Sequence, residues 1–521
     1  VEVVKAITVP VCDVPGAKVT STPVRVRLYD VRRDAHSVLG ITGTQPVFSH
    51  ANTVGNMTWA LKERVLGSMI DGEWTPTIRP ERFATAEMLR WRGAIERKLG
   101  TTWVPDSRDD FITHATSGKR KVIYQAAAVD LSLKPLEARD AEITAFLKAE
   151  KWRELKAPRV ISPRCPRYLL ETGRYLHPIE KHVYRAIEEA AGYPVVMKGY
   201  TQERRAEVLS QHGNAFQDPV YVGLDASKFD QHVSVDALKF EHHVYNFAYN
   251  QDPELKKMLR WQLKNKCYFN GVDGRVRWTT LGGRMSGDMN TALGNCILSA
   301  IMLLAYSEAV GVRMRCVVDG DDCVAVMERR DVEAFISGLK DWYLRRGFRM
   351  KVERPCSFKR VEFCQCTPVL VSGVLTMVRN PRKALAQDMA WIQKGGVRHQ
   401  DVVAATGVGG VAAFSGVPVL EELYRFMARH GSSTEAARGR VHLDGWAART
   451  HSERQGLKVD DAARVSFWEA FGIDPGVQMA IEEELRSLKP LNLSNIHNIH
   501  ETSHDLIQQL TLLDTDSHGE I

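Results

Sequence analysis

The chain has 521 residues, of which 44% are hydrophobic, 26% charged and 8% aromatic. That composition excludes a small binding module, wholesale disorder and a collagen-like repeat, and it predicts about three subdomains. Lys and Arg number 70 against 63 Asp and Glu, a net charge of +7, so the placement of the basic residues says more than their sum. Nine scattered cysteines with no C-x-x-C pair argue against a zinc site and for a reducing compartment. The most apolar run, Cys296 to Tyr306, is shorter than the ~20 residues of a membrane span, and no N-terminal signal pattern is present. With Val1 in first place, the chain is expected to be a fragment, a processed product or the downstream portion of a longer translation product.

Residues 1–150 read as mixed α/β, with a β-rich piece at Val24–Tyr29 and helical spacing over Asn56–Leu66 and Glu81–Lys98. Between Lys151 and Arg185 nine basic residues face three acids, with Pro158, Pro163 and Pro166 and two tyrosines, Tyr168 and Tyr175, interleaved. The prolines predict an extended basic strip. Val220–Leu224 reads as a buried strand that delivers Asp225 at its C-terminal end, followed by a helix through Asn246. The glycine-rich LGGRMSG feeds a helix over Gly287–Tyr306, and Arg313–Val318 with Cys323–Met327 has the spacing of a hairpin whose tip carries Asp321 and Asp322. Lys394–Gly416, rich in glycine, reads as loops between helices. After Lys489 the charges are all acidic, and the end of the chain reads as an acidic tail.

Gly320-Asp321-Asp322 alone is a weak signal, since a chain this long contains such a triplet by chance with a probability on the order of one in ten. A second strand ending in a carboxylate changes its weight. If the two strands are antiparallel neighbours, Asp225, Asp321 and Asp322 come together, and crowded carboxylates call for divalent cations with hard oxygen ligands. Phosphoryl transfer follows as the reaction class. Cys364 and Cys366 read as hairpin positions, His242 and His243 as helix residues without a partner, and Asp319 as a turn residue outside the metal set.

Asp225-x4-Asp230, then SGDMNTALGN from Ser286 to Asn295, then Gly320-Asp321-Asp322 resemble motifs A, B and C of viral RNA-dependent RNA polymerases in order and spacing. The longer strings GLDASKFDQHVSVDALKFEH, GGRMSGDMNTALGN and DGDDCVAVMERRD are similar to the tombusvirus family of plant viruses, with its carmovirus and umbravirus relatives. APRVISPRCPRYLLETGRYL (Ala157–Leu176) resembles that family's motif F and VEFCQC (Val361–Cys366) its motif E, and a weaker similarity runs over Pro46–Val65.

The resemblance implies an α/β (α+β) right-hand polymerase with fingers, a palm of antiparallel sheet plus helices, and a mainly helical thumb. The expected divisions are an N-terminal region with part of the fingers (1–150), fingers with motif F (151–219), motif A of the palm (220–235), a fingers insertion (236–275), palm motifs B to E (276–370), thumb (371–489) and tail (490–521). Asp225, Asp321 and Asp322 are the implied ligands of two Mg²⁺ or Mn²⁺ ions. Lys156 and Arg159 match motif F positions that contact the triphosphate, with Arg164 and Arg167 as neighbouring candidates. Asp230, Ser286, Thr291 and Asn295 are expected to read the ribose. Lys351 occupies the motif D position proposed to protonate pyrophosphate, although a basic strand facing template phosphate reads the same way. Implied partners are the viral RNA template and product strand, nucleoside triphosphates, an upstream viral replication protein that attaches the complex to membrane, and host factors, all in the host cytoplasm at membrane-associated replication complexes. The activity implied is copying of a positive-strand RNA genome; the alternatives are a non-catalytic RNA-binding replication factor and a two-metal nuclease.

Overall fold

The computed structural model describes residues 1–21, 33–38, 47–80, 82–392, 398–430, 456–490, 493 and 497–498. The expected strand at Val24–Tyr29 and nearly all of the expected acidic tail lie outside the described residues. The fold is mixed α/β with mainly antiparallel sheets.

A four-stranded antiparallel sheet lies at the centre, in the order Met314–Asp319, Asp322–Glu328, Pro219–Ala226, Met350–Val352. Successive side chains of a strand point to opposite faces, and both faces here are covered. Val220, Val222 and Leu224 join one core with Cys316, Val318, Ala325 and Met327. Tyr221 joins the other with Val317, Val324 and Val326. A strand buried on both sides reads as an unbroken apolar run, which is why Val220–Leu224 showed no alternation. The helix Thr291–Val310 packs on the first face. It is buried on every side from Leu293 to Tyr306, as an all-round apolar helix must be in a water-soluble core. It is long and apolar enough to cross a membrane, but most of it is enclosed by the rest of the protein.

A second, five-stranded sheet runs in the order Ala17–Ser21, Gly274–Leu281, Lys264–Gly271, Ile143–Leu147, Val160–Ile161. The first 38 residues do not form one unit. Ala17–Ser21 belongs to this sheet, whereas Glu2–Val4 and Ala35–Ser37 pair with each other and Ala35–Ser37 pairs with Ala390–Ile392. Val38 and Val1 pack into the core formed by Trp391, Phe414, Tyr424 and Phe467. The start of the chain is thus stitched to its C-terminal third. The expected division at 370 and 371 runs through a hairpin, Cys366–Val371 paired with Val374–Arg379.

Two expectations fail. The basic strip is extended only as far as Cys165, because Pro166–Ala191 is a 26-residue helix. Pro166 sits in its first turn, where a missing N–H costs nothing. Pro178 lies inside it, and the burial of Tyr168, Leu176, Ile179, Val183 and Ile187 in the main core outweighs one lost backbone bond. The glycine-rich stretch is likewise helical over His399–Phe414. Its glycines allow close approach to the helix Leu420–Ala428: a Cβ at Gly407 would lie 2.2 Å from the Ala428 nitrogen, and one at Gly410 would lie 2.1 Å from the Tyr424 ring. Gly410→Ala is therefore expected to destabilise the chain by about 1–3 kcal/mol, read as a lowered midpoint of thermal unfolding; an unchanged midpoint would contradict this packing.

Candidate active site

The register of the central sheet places the acids. Asp225 lies directly opposite Asp322 on one side and opposite Lys351 on the other. Asp319 pairs with Asp322 across the hairpin, leaving Gly320 and Asp321 as a two-residue loop. Gly320 has φ +73° with open space where a Cβ would go, so glycine is needed there for its backbone conformation alone. Its N–H donates to the Cys296 sulfur at 3.2 Å. Burial pushes the Cys296 thiol up to about 12, so a neutral thiol on the central helix holds the acidic loop. Nothing in the sequence marked this cysteine.

Asp321 and Asp322 are exposed at the end of the sheet. Asp322 is pushed up to about 6, first by lost hydration and then by the charge of Asp321. Asp321 is also raised, by lost hydration first, with Asp225 adding to the effect and Arg159 opposing it. These are hard oxygen donors that resist ionisation beside one another, the electrostatic situation that a divalent cation relieves. The expected convergence is nonetheless incomplete. Among the described residues no three His, Cys, Asp or Glu side chains are gathered closely enough to hold a metal ion. Asp225 lies 4.0 Å from the Lys351 ammonium. Asp319 stands apart, paired with Arg205 and with Lys198 at 3.6 Å.

The basic strip divides in two. Lys156 and Arg159 are exposed, beside Glu154 and Glu150 respectively, and the Arg159 charge reaches both Asp321 and Asp230. Arg164 does not face the cleft. Its side chain is fully buried and bonds Asp288 through two nitrogens (2.5 and 3.1 Å), the Ala141 carbonyl (2.5 Å) and Asn265 (2.7 Å). Arg167 lies on the long helix and bonds Asp130, Asp140 and the carbonyls of Lys134 and Pro135. Both tie segments together rather than meeting a triphosphate, because the helix begins at Pro166.

Of the four expected sugar-reading residues, two face each other: Asn295 donates its amide to Asp230 at 3.0 Å. Burial raises the Asp230 carboxyl, while Asn295 and then Arg284 counteract it. The Ser286 hydroxyl accepts from the Ser162 N–H at 3.1 Å, joining the glycine-rich loop to the basic strip. Thr291 donates to the carbonyls of Met285 and Asp288, both at 2.9 Å, and so shapes that loop. The helix Val54–Arg64 buttresses the same region: Lys228 donates to the Glu63 carbonyl and to Ser68 (3.1 Å), and Arg64 donates to the Ala157 carbonyl at 2.5 Å.

A buried polar group under this site went unnoticed in the sequence: Glu241, Arg284, Asn290 and Gln262. An acid in the apolar stripe Leu238, Val244, Tyr245 was the available signal, since an unpaired buried carboxylate is untenable. Cys364 and Cys366 flank or occupy a tight turn in which Phe363 and Cys366 exchange backbone bonds of 2.9 and 3.1 Å, as hairpin residues do. The two helix histidines, expected to lack partners, both have one, because burial of the helix brings distant polar side chains to them: His243 pairs with Glu96 at 2.6 Å, and His242 with Gln262 at 3.0 Å.

Residues 21–492 match the family described as viral RNA dependent RNA polymerase. The chain belongs to that family. The RNA-directed RNA polymerase of oat chlorotic stunt virus is 36% identical over 486 residues, covering 88% of this chain and 64% of the relative. That of tobacco necrosis virus strain A is 35% identical over 453 residues (85% and 62%), and that of carnation mottle virus 36% over 456 residues (84% and 58%). The chain thus spans a little under two thirds of the length of these viral polymerases.

Within this family member His242 supplies a pH test. Burial pushes it down to about 4 from the ordinary 6.5, so below pH 6.5 the unfolded chain binds the proton that the folded chain refuses. Its contribution is present above pH 6.5 and lost as pH falls toward 4. His242→Gln is expected to flatten the loss of thermal stability between pH 6.5 and 4.5, and an identical pH slope in the variant would contradict the assignment.

Proposed function

We propose that this chain copies an RNA template from nucleoside triphosphates, acting as the polymerase part of a positive-strand plant virus replication protein. The observation that carries the reading is the register that sets Asp225 opposite Asp322 beside the Gly320-Asp321 loop. In the proposed reaction the 3′-hydroxyl of the growing strand attacks the α-phosphate, a new phosphodiester forms, and pyrophosphate leaves. Asp225, Asp321 and Asp322 would hold two Mg²⁺ or Mn²⁺ ions, which when bound supply acidification of the hydroxyl and neutralisation of the triphosphate. Burial raises both Asp321 and Asp322, with the charge of Asp225 adding to each, and this supports the role.

The chain's own residues do the rest of the work. Arg159, whose charge already reaches Asp321, offsets phosphate charge that cations leave unbalanced, with Lys156 beside it. Lys351, 4.0 Å from Asp225, would supply the proton to the leaving pyrophosphate. Asp230, held by Asn295, accepts from the ribose 2′-hydroxyl, and a deoxynucleotide leaves that buried acceptor unpaired. The proposed setting is the host cytoplasm at membrane-associated complexes, with an upstream viral protein as the membrane anchor; nine free thiols support a reducing compartment.

Asp321→Asn is expected to lower template-dependent incorporation by ~10³-fold or more while filter retention of RNA stays within a few-fold. Full incorporation by that variant would remove the metal role, and RNA retention or degradation without extension by the wild-type chain would favour the binder or nuclease reading instead. Asp230→Ala and Asn295→Ala are each expected to reduce the preference for ribonucleotides over deoxyribonucleotides, measured as a ratio of kcat/KM; an unaltered ratio would separate them from sugar choice.

A further inference from the structure

One orientation of the Asn295 amide suits Asp230, with the NH₂ end toward the carboxylate. Its oxygen and nitrogen ends are nearly the same shape, and a flip would set the amide oxygen against the Asp230 carboxylate. The same orientation is held from the opposite side, one residue deeper. Arg284 donates its Nε to the Asn295 Oδ1 at 2.9 Å, and because a guanidinium has only donors, the amide oxygen must face it and the NH₂ must face Asp230. The Arg284 backbone N–H also donates to the Asp230 carbonyl at 2.7 Å, so one residue holds both members of the pair.

Arg284 is itself held. It meets Glu241 through both Nη atoms, one at 2.8 Å, and neither side chain has any exposed surface. Glu241 also accepts from Asn290 at 2.6 Å and from the Tyr245 hydroxyl at 3.2 Å. Asn290 in turn accepts from Gln262 at 3.0 Å. A second observation points to the same pair: a Cβ at Gly294 would lie 2.4 Å from both Arg284 Nη2 and Glu241 Oε1, so glycine on the central helix leaves the room that the ion pair occupies.

We propose that Arg284 and Glu241 are positioning residues for sugar discrimination, acting through the Asn295 amide to leave one oxygen of Asp230 free for a ribose 2′-hydroxyl. The proposal rests on the polymerase reading and deepens it. With the amide fixed, Asn295 occupies Oδ1 of Asp230 and a hydroxyl donor is the natural partner of Oδ2. With the amide free to turn, the geometry of that acceptor is lost for ribonucleotides, whereas deoxyribonucleotides, which never used it, are little affected. A buried ion pair kept only for folding would behave differently, since its loss would weaken the chain without favouring one sugar.

The test uses the full 521-residue chain with an RNA template and Mn²⁺, comparing kcat/KM for UTP and dUTP. Arg284→Lys keeps the charge but loses the planar fork. It is expected to reduce the UTP preference about tenfold or more, mainly through a raised KM for UTP. Glu241→Gln, which keeps shape and the contacts to Asn290 and Tyr245, is expected to act in the same direction. Combining Arg284→Lys with Asn295→Ala is expected to add little to Asn295→Ala alone, because the arginine acts through the amide. An unchanged sugar ratio in the folded variants, or an additive effect in the double variant, would overturn the proposal. If Arg284→Lys fails to fold, Glu241→Gln, alone and combined with Asn295→Ala, separates the same two outcomes. Failure of the polymerase reading is distinguishable, for then the wild-type chain would extend with neither nucleotide.

Discussion

Negative charge concentrated at one end of a buried sheet governs how the remainder of the molecule is built. The antiparallel register sets Asp225 against Asp322 and leaves Asp321 at the loop between the hairpin strands, where burial first and the Asp225 charge after it make Asp321 and Asp322 harder to ionise. Keeping such a cluster folded requires rigid backing, and the backing is visible. Val220, Val222 and Leu224 are locked into one core and Tyr221 into another, while the central helix reaches the loop through the Cys296 sulfur. Cations approach from two directions, Lys351 from the neighbouring strand and Arg159 from the basic strip.

Around that centre the chain uses buried arginines as ties. Arg164 gathers Asp288, Asn265 and the Ala141 carbonyl, so the basic strip and the glycine-rich loop are joined. Arg284 does the same one layer away, between Asp230, Asn295 and Glu241. In both cases a fully buried guanidinium has a carboxylate partner and further acceptors, the condition under which a charge can be kept from water. The N-terminal strands extend this tying across the molecule by pairing with residues 390–392.

Much of this was legible in the sequence because local signals dictate it. Two short β-rich runs around an acidic tip predicted the hairpin that carries Asp321 and Asp322, and a buried apolar run ending in an acid predicted the strand of Asp225. Asp230 and Asn295 do meet. What misled was chemistry whose meaning depends on distant partners. Prolines at 158, 163 and 166 suggested an extended strip, but Pro166 begins a helix that also carries Pro178, and Arg164 and Arg167 turn toward protein. The glycines at 407 and 410 suggested loops because their role, close contact with Tyr424 and Ala428, belongs to another helix. The bond between Arg284 and Glu241 joins residues 43 positions apart, beyond the reach of any periodicity, and the pairing of Asp225 with Lys351 is likewise a product of sheet register.

If the acids at the end of this sheet exist to hold divalent cations beside an RNA 3′ end, the cations themselves can be located. Anomalous scattering from Mn²⁺, in crystals of the chain with template, primer and a non-hydrolysable nucleoside triphosphate, would do so. Two Mn²⁺ peaks are expected beside the carboxylates of Asp225, Asp321 and Asp322. Bound RNA and nucleotide with no Mn²⁺ at these carboxylates would contradict the metal role and the polymerase chemistry built on it.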